Sequence, residues 1–575
     1  MGKRDYRVFE RQQGGDRKMS ILVPPAQSGV NAVDLWKTAL AQADAAGETE
    51  IRFSPGCYHF HPEGCPQRYC YFSNNDEGIK TIALDLQNRK NLRLIGDHTE
   101  FFFHGRISPI VAVNCENFSM RGFTIDFEDS FVSDADVISH EDGVCWIKVS
   151  GKHRFEQGRL HFTEDFYDNL SGTLQFYFYD TEKEEILWNA SPMTISNRGL
   201  AERKGLIGIP VQPNQLFSDA LIIKHELRLC PGMVFDRCCG IDLKDISIYH
   251  AAGMGILAQL CSDISLAGIR IVPRGRRVSV SDDAVHFSDC RGRLLLENSI
   301  LSGTLDDSFN SHGIYRPLKM RVPGGKFYYL DTGHFQQQGI PGAFTGDTLE
   351  LIKNDTQRPY ARIKLKEVRL LNKAMTKIVP EGEMPEEWVP GDDARVLETG
   401  FAELTVRNCT FHPLNGRGVL ASGLKKVVIT GNRFHTSGAA VFVSGDGNFW
   451  YESGPVEEML IADNFFNNCC YRKNSSTRET VAIFPELQKL EEHFYYHGKI
   501  ELKNNLFRSN IRPQVSMLSV KEPVLSGNAF EKDETYPFDP PASAAYSFAE
   551  KDSPWAIFRH CGTVIQEQNS GFETI

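Results

Sequence analysis

Two Asp-Asp pairs, Asp282-Asp283 and Asp306-Asp307, stand 24 residues apart, with His286, Asn310 and His312 close behind them. An apolar strand, Leu294-Leu295-Leu296, lies between the pairs. If 22 to 24 residues make one coil of a solenoid, the pairs sit one above the other, on rungs about 4.7–4.9 Å apart. Four carboxylates would then crowd one patch. Like charges at that spacing repel, so at least one of them keeps its proton near neutral pH. One protonated and one ionised carboxylate are the minimum equipment for cutting a glycosidic bond. Asp is common in turns, so one Asp-Asp alone would mean little. Two pairs in register, each followed by a Phe and with a His nearby, favour the chemical reading. His286, Asn310 and His312 are then candidates to bind sugar hydroxyls or to tune the acid. Asp282 is either a fourth site carboxylate or a turn cap.

Such a patch needs a solenoid, and the chain repeats the required beat. Ile241-x-Leu243-x-x-Ile246-x-Ile248 recurs as Ile264-x-Leu266-x-x-Ile269-x-Ile271. Late in the chain, Phe411, Phe434, Phe466, Phe507 and Phe530 are separated by 23, 32, 41 and 23 residues, and an Asn precedes each by two or three. The short gaps are single coils and the long ones are coils with inserted loops. Asn tolerates left-handed turns and can stack its amide on the next rung. The fold predicted is all-β, a right-handed parallel β-helix. Val30 to Ala46 reads as an amphipathic helix, and Glu50 to Phe60 as strand, Pro-Gly turn and strand. This helix would cover the open end of the solenoid, where bare strand edges invite aggregation. The beat fails over residues 138–232 and 315–398, which read as two inserted antiparallel β domains resembling small barrels. The expected order is a disordered stretch 1–20, cap and first coils 21–137, the first insertion, central coils 233–314 with the site, the second insertion, late coils 399–535 and a capping tail 536–575.

Composition narrows the classes. The chain has 575 residues, 41% hydrophobic and 24% charged, with net charge −11. This is ordinary for a folded domain protein and argues against a nucleic-acid partner, which wants a basic face. No run of 18 apolar residues is present, so no membrane span is expected. The polar start, Met1 to Arg7, lacks an apolar signal core. The expected compartment is cytoplasmic as written, or secreted or periplasmic if a signal has been removed. The 14 cysteines are spread out. Cys115, Cys238 and Cys261 each open an apolar strand and read as buried thiols stacked in the solenoid. Cys57, Cys65 and Cys70 lie near His59 and His61 in no common zinc spacing. No metal and no cofactor are expected.

The stretches Asp283-Ala-Val-His-Phe, followed by Cys290-x-Gly292, and Asp306-Asp307-x-Phe-Asn-x-His-Gly resemble glycoside hydrolase family 110, the α-1,3-galactosidases of blood-group-B-type and linear α-1,3-galactosyl ends. The helical cap and both insertions match as well. The resemblance implies a metal-free, inverting, exo-acting hydrolase with Asp283, Asp306 and Asp307 as essential carboxylates. Its partner is a glycan with terminal α-galactose, and a homodimer is compatible. Many relatives carry an export signal that this chain does not show. The arrangement is also similar to polygalacturonases, which implies Asp306 as general acid and Asp283 with Asp307 activating water. The Arg-x-Lys expected of that family is here Arg316-x-x-Lys319, one residue too long. The run Arg270 to Arg277 would favour an anionic substrate if it faced the cleft. The alternatives are a polyuronide hydrolase, a polysaccharide lyase, and a carbohydrate-binding solenoid without catalysis.

Overall fold

The structure is a computed structural model that describes residues 20–25, 29–75, 77–164, 167–168, 172–211, 218–225, 228–322, 326–537, 545–550 and 553–571. The stretch expected to be disordered lies, except for Ser20, outside the described residues. The helix forms over Ala32–Ala46, with Asn31 accepting the Val33 amide at its start and Gly47 in the left-handed conformation (φ 69°) at its end. Its apolar face buries Val33, Leu35, Trp36, Ala39 and Ala43. Trp36 stacks on Phe53 of the first coil. The helix thus closes the end of the core, as its amphipathic pattern predicts.

Behind it the chain winds through parallel ladders. One runs from Arg93–Phe103 and Glu116–Phe127 through Cys239–Ile248, Ser262–Ala267 and Arg291–Glu297 to Glu403–Arg407 and the later coils. Another runs from Gly78–Gln87 through Met233–Asp236, Ile256–Gln259, Val285–Ser288 and Phe309–Ile314 to Val419–Ala421 and beyond. Interior side chains stack along the axis. Phe411, Phe434, Phe466, Phe507 and Phe530 form one column with successive ring centroids 4.8, 5.0, 4.8 and 4.6 Å apart, close to the rung spacing of about 4.7–4.9 Å. Beside them Asn432, Asn464, Asn505, Asn528 and Asn569 pass amide hydrogen bonds from coil to coil at 2.9–3.0 Å. In the early coils a separate column of cysteines stands just before the strands of this ladder. The Cys115 amide donates to Cys238 Sγ and the Cys238 amide to Cys261 Sγ, both at 3.3 Å.

The two insertions leave this path where the beat fails. The first begins at Val132, six residues before the predicted boundary, and holds an eight-stranded antiparallel sheet running to Ala220–Lys224, with a small sheet beside it. This sheet stays open among the described residues. The second insertion closes into a six-stranded barrel from Arg316–Arg321 to Asp393–Val396. The tail expected to cap the end instead adds a coil: Ala556–Arg559 pairs in parallel with Val515–Leu518, and Ile565–Glu567 with Val520–Ser526. Asn569, one position of the Asn column past Asn528, is the sequence signal for that coil.

Asn505 accepts both the backbone and the side-chain amide of Asn464. Asn505→Ala would leave two buried donors without an acceptor, each costing about 1–3 kcal/mol. The expected result is a clear fall in thermal midpoint by calorimetry. An unchanged midpoint would show that the Asn column contributes nothing.

Candidate active site

Asp282-Asp283 and Asp306-Asp307 both lie in turns just before the strands Val285–Ser288 and Phe309–Ile314. Neighbouring residues of a regular strand face opposite ways, and the turn removes that obstacle. At the second pair, Thr304 Oγ1 donates to the Asp306 carbonyl at 2.7 Å, and the Asp307 amide donates to Asp306 Oδ1 at 3.1 Å. The register Val285↔Phe309↔Val419, carried two residues back on each strand, stacks Asp283, Asp307 and Arg417 on successive rungs. The backbone bonds Ala284 N to Asp307 O and Ser308 N to Arg417 O hold that stack. Asp283, Asp306 and Asp307 then line one cavity of ≈ 260 Å³ with Arg228, Arg417, Asn310, Glu452, Asp446, Glu486 and Trp450.

Cations divide the carboxylates. Arg417 gives Asp307 Oδ1 two hydrogen bonds of 2.8 Å, one from its backbone amide and one from Nε. Arg228 reaches Asp306 Oδ2 at 3.0 Å through Nη2, and its Nη1 donates to the Asn74 carbonyl. Burial pushes Asp306 up, the neighbouring Asp307 adds to the rise and Arg228 opposes it, leaving Asp306 at about 6. Burial, with Asp306 and Asp307 close by, pushes Asp283 well above the carboxylate range. Its Oδ2 lies 2.5 Å from His286 Nδ1, and His286 Nε2 lies 2.9 Å from His312 Nε2. His312 Nδ1 faces the Gly313 carbonyl at 2.9 Å and must donate to it. With Nδ1 so engaged, His312 accepts at Nε2 from His286 Nε2, and the proton between His286 Nδ1 and Asp283 stays in their short bond. Burial holds His286 well below its usual range, which keeps that proton on the Asp283 side.

Several expectations change here. His286 and His312 are buried behind Asp283 rather than lining the cavity, so neither is placed to touch a sugar. Asp282 is also shut away. Lys224 Nζ donates to it at 2.7 Å and Arg228 Nε at 3.2 Å. Burial acts to raise Asp282, but these two cations outweigh it and hold Asp282 below its usual value. Its role is to anchor the first insertion, from which Lys224 comes. Asn310 does line the cavity and donates to Glu452 Oε2 at 3.3 Å. The basic run points elsewhere: Arg274 and Arg276 pair with Asp126, and Arg277 faces Asp134 and Asp136 at 3.6–3.7 Å. Arg316 is buried against Asp289, and Lys319 pairs with Asp331 on the barrel. Trp450 joins the cavity wall, edge-on to Phe335.

Arg228, Arg417, Glu452, Asp446 and Glu486 went unread in the sequence. Arg417 has a local signal, the turn Gly416-Arg417-Gly418 before a strand, but the barrel separates it from Asp307 by 110 residues. Arg228 has none, since its contacts reach across the first insertion. His286, His312 and Glu452 could together ligate a metal, yet every ring nitrogen of the two histidines is already engaged in the hydrogen-bonded chain.

Gly416 has φ +110°, and a Cβ there would sit 2.5 Å from the Asp306 carbonyl carbon. Gly416→Ala should therefore displace the Asp306-Asp307 turn and cost about 1–3 kcal/mol of stability, read from denaturant unfolding. An unchanged unfolding free energy would show that the turn moves without cost.

A family model described as the GLAA-B beta-barrel domain II matches residues 330–393, within the six-stranded barrel. An alpha-1,3-galactosidase B of Bacteroides fragilis is 29% identical over 566 residues, covering 89% of this chain and 90% of that protein. One from Bacteroides thetaiotaomicron is 28% identical, covering 88% and 85%. An alpha-1,3-galactosidase A of Shewanella woodyi is 27% identical, covering 84% and 80%. An exopolygalacturonase from Thermotoga maritima superposes with a TM-score of 0.38 at 11% identity over 97% of this chain and 94% of that one, a likeness too loose to argue from. Across nearly nine-tenths of its length this chain is similar to proteins named alpha-1,3-galactosidase, in keeping with the glycoside hydrolase family 110 resemblance seen at its paired aspartates.

Proposed function

We propose that this chain is a glycoside hydrolase that releases terminal α-1,3-linked galactose from glycans by an inverting, exo-acting mechanism. The observation behind this reading is that three carboxylates share one small cavity while their surroundings set their protons apart. Asp306 is the most exposed of the three, and at about 6 it holds a proton to give. It serves as general acid to the glycosidic oxygen. Asp307 has Oδ1 occupied by Arg417, so Oδ2 is the oxygen open to a water. It takes the proton from that water as the water attacks the anomeric carbon. Asp283, its proton shared with His286, orients the water as a hydrogen-bond partner. The anomeric carbon inverts as the bond to the leaving oxygen breaks; Asp307 then releases its proton to solvent and Asp306 regains one from it.

A cavity of ≈ 260 Å³, just below the usual range of about 300–1,000 Å³ for small-molecule sites, suits a terminal sugar better than the middle of a polymer. The relatives' names support the galactosyl specificity. The polyuronide reading loses the support of the basic run, because Arg274, Arg276 and Arg277 face acids away from the cavity.

Galactose release from Galα1-3Gal in the presence of EDTA should fall by roughly 10³-fold or more in Asp306→Asn, in line with loss of a general acid. Proton NMR of the wild-type reaction should show β-galactose as the first product. Release of α-galactose first would refute inversion, and no release at all would refute the galactosidase reading. The acid must be protonated, so activity should decline as pH rises through about 6, the value of Asp306. Arg228 lowers that value, so Arg228→Met should move the alkaline limb of the pH profile upward. A limb that stays in place would remove Asp306 from the acid role.

A further inference from the structure

A second group of side chains meets where the first insertion leans on the solenoid. His412 and His435 each follow a phenylalanine of the stacked column, and the pairing of Phe411 with Phe434 puts them on adjacent rungs. Glu185 reaches them from the short strand Glu185–Ile186 of the insertion, and only 2% of it is exposed. One ligand atom from each of the three lies within 4.8 Å of the other two.

Proton counting leaves this group incomplete. His435 Nδ1 is 2.9 Å from the Asn467 carbonyl, which can only accept, so Nδ1 bears a hydrogen and a bare Nε2 presents a lone pair. That lone pair faces Glu185 Oε2 at 2.9 Å. Two lone pairs at that distance need a cation between them. His412 Nε2 is buried and has no hydrogen-bond partner. A proton between His435 and Glu185 would satisfy those two and leave His412 Nε2 empty, whereas a metal would satisfy all three. The outer partners agree. A ligating His typically donates its other N–H to a carbonyl, and a ligating carboxylate is itself hydrogen-bonded. Here Asn467 takes the first role, and the Tyr536 hydroxyl donates to Glu185 Oε1 at 2.6 Å.

The geometry points to a divalent metal site of the zinc class, with Glu185 Oε2, His412 Nε2 and His435 Nε2 as ligands. Two imidazoles and a carboxylate suit zinc and similar ions. At metal–ligand bonds of about 2.0–2.1 Å, tetrahedral ligands stand about 3.3 Å apart. The His435–Glu185 pair is already near that spacing, and the loosest pair must close by at most about 1.5 Å. His412 also lines a cavity of ≈ 340 Å³ together with Tyr179, Glu184 and Arg277. This cavity is separate from the one that holds Asp306. A metal here would join the insertion that supplies Lys224 to the coils that supply Arg417.

The test uses the full chain stripped with EDTA and moved to chelator-free buffer. Isothermal titration with Zn²⁺ should show one equivalent bound with micromolar or tighter Kd, and zinc should raise the thermal midpoint. His412→Ala and His435→Gln should each weaken binding at least tenfold and abolish the rise in midpoint. Co²⁺ in place of zinc should give a visible absorption band that His412→Ala loses. No uptake of zinc by the wild type would overturn the assignment, as would variants that bind as tightly as the wild type. His412→Ala removes a ring nitrogen with no partner, so it keeps the test open if His435→Gln fails to fold.

Discussion

In a parallel solenoid each coil is tied to the next by backbone hydrogen bonds, and the register of those bonds decides which side chains meet. Here Val285, Phe309 and Val419 are bonded in one line. The residues two places earlier, Asp283, Asp307 and Arg417, must therefore stack, whatever their charges prefer. Two carboxylates brought together by the backbone cannot separate without breaking the ladder. The repulsion is met instead by protons and cations: Asp283 keeps a proton shared with His286, Asp307 takes Arg417, and Asp306 takes Arg228. The acid–base asymmetry at the cavity follows from this constraint.

The cations come from outside the repeating coils' common pattern, and this gives the insertions a role. The first insertion packs on the solenoid through Tyr177, Tyr179, Ile186 and Ile222 against Val278, Leu305 and Leu414. Leu305 directly precedes Asp306-Asp307. The same insertion sends Lys224 into the buried Asp282, and Arg228 follows on the return to the coils. A buried carboxylate stripped of such partners is strongly destabilising. Insertion and site thus hold each other in place, with Asp282 as the joint. The second insertion contributes differently, since its barrel stands between Ile314 and the coil that carries Arg417.

Much of this was legible in the residue order because a solenoid writes its period into the chain. The Phe spacings 23, 32, 41 and 23 in the sequence are the rung pairings of the structure. The 24-residue step from Asp283 to Asp307 is the register of two adjacent strands. The helix Ala32–Ala46 follows from its own apolar stripe. Reading stopped short at the tail, where Asn569 continues the Asn column only after a gap of 41 residues.

What the sequence by itself determined, then, was the period, and with it the fold and the meeting of Asp283, Asp306 and Asp307, because strand pairing in a repeat is set by local spacing. Only the tertiary structure decided which groups face the cavity and which stand behind it. His286, His312 and Asp282 have the residue types of a binding site, but their burial makes them supports. Arg228 bears no mark of the site in its neighbours and reaches it across the first insertion, while Arg417 stacks on Asp307 through the rung register although the inserted barrel puts 110 residues between them. Spacing along the chain specifies contacts between successive rungs, whereas contacts made across an insertion depend on how two separately folded units pack.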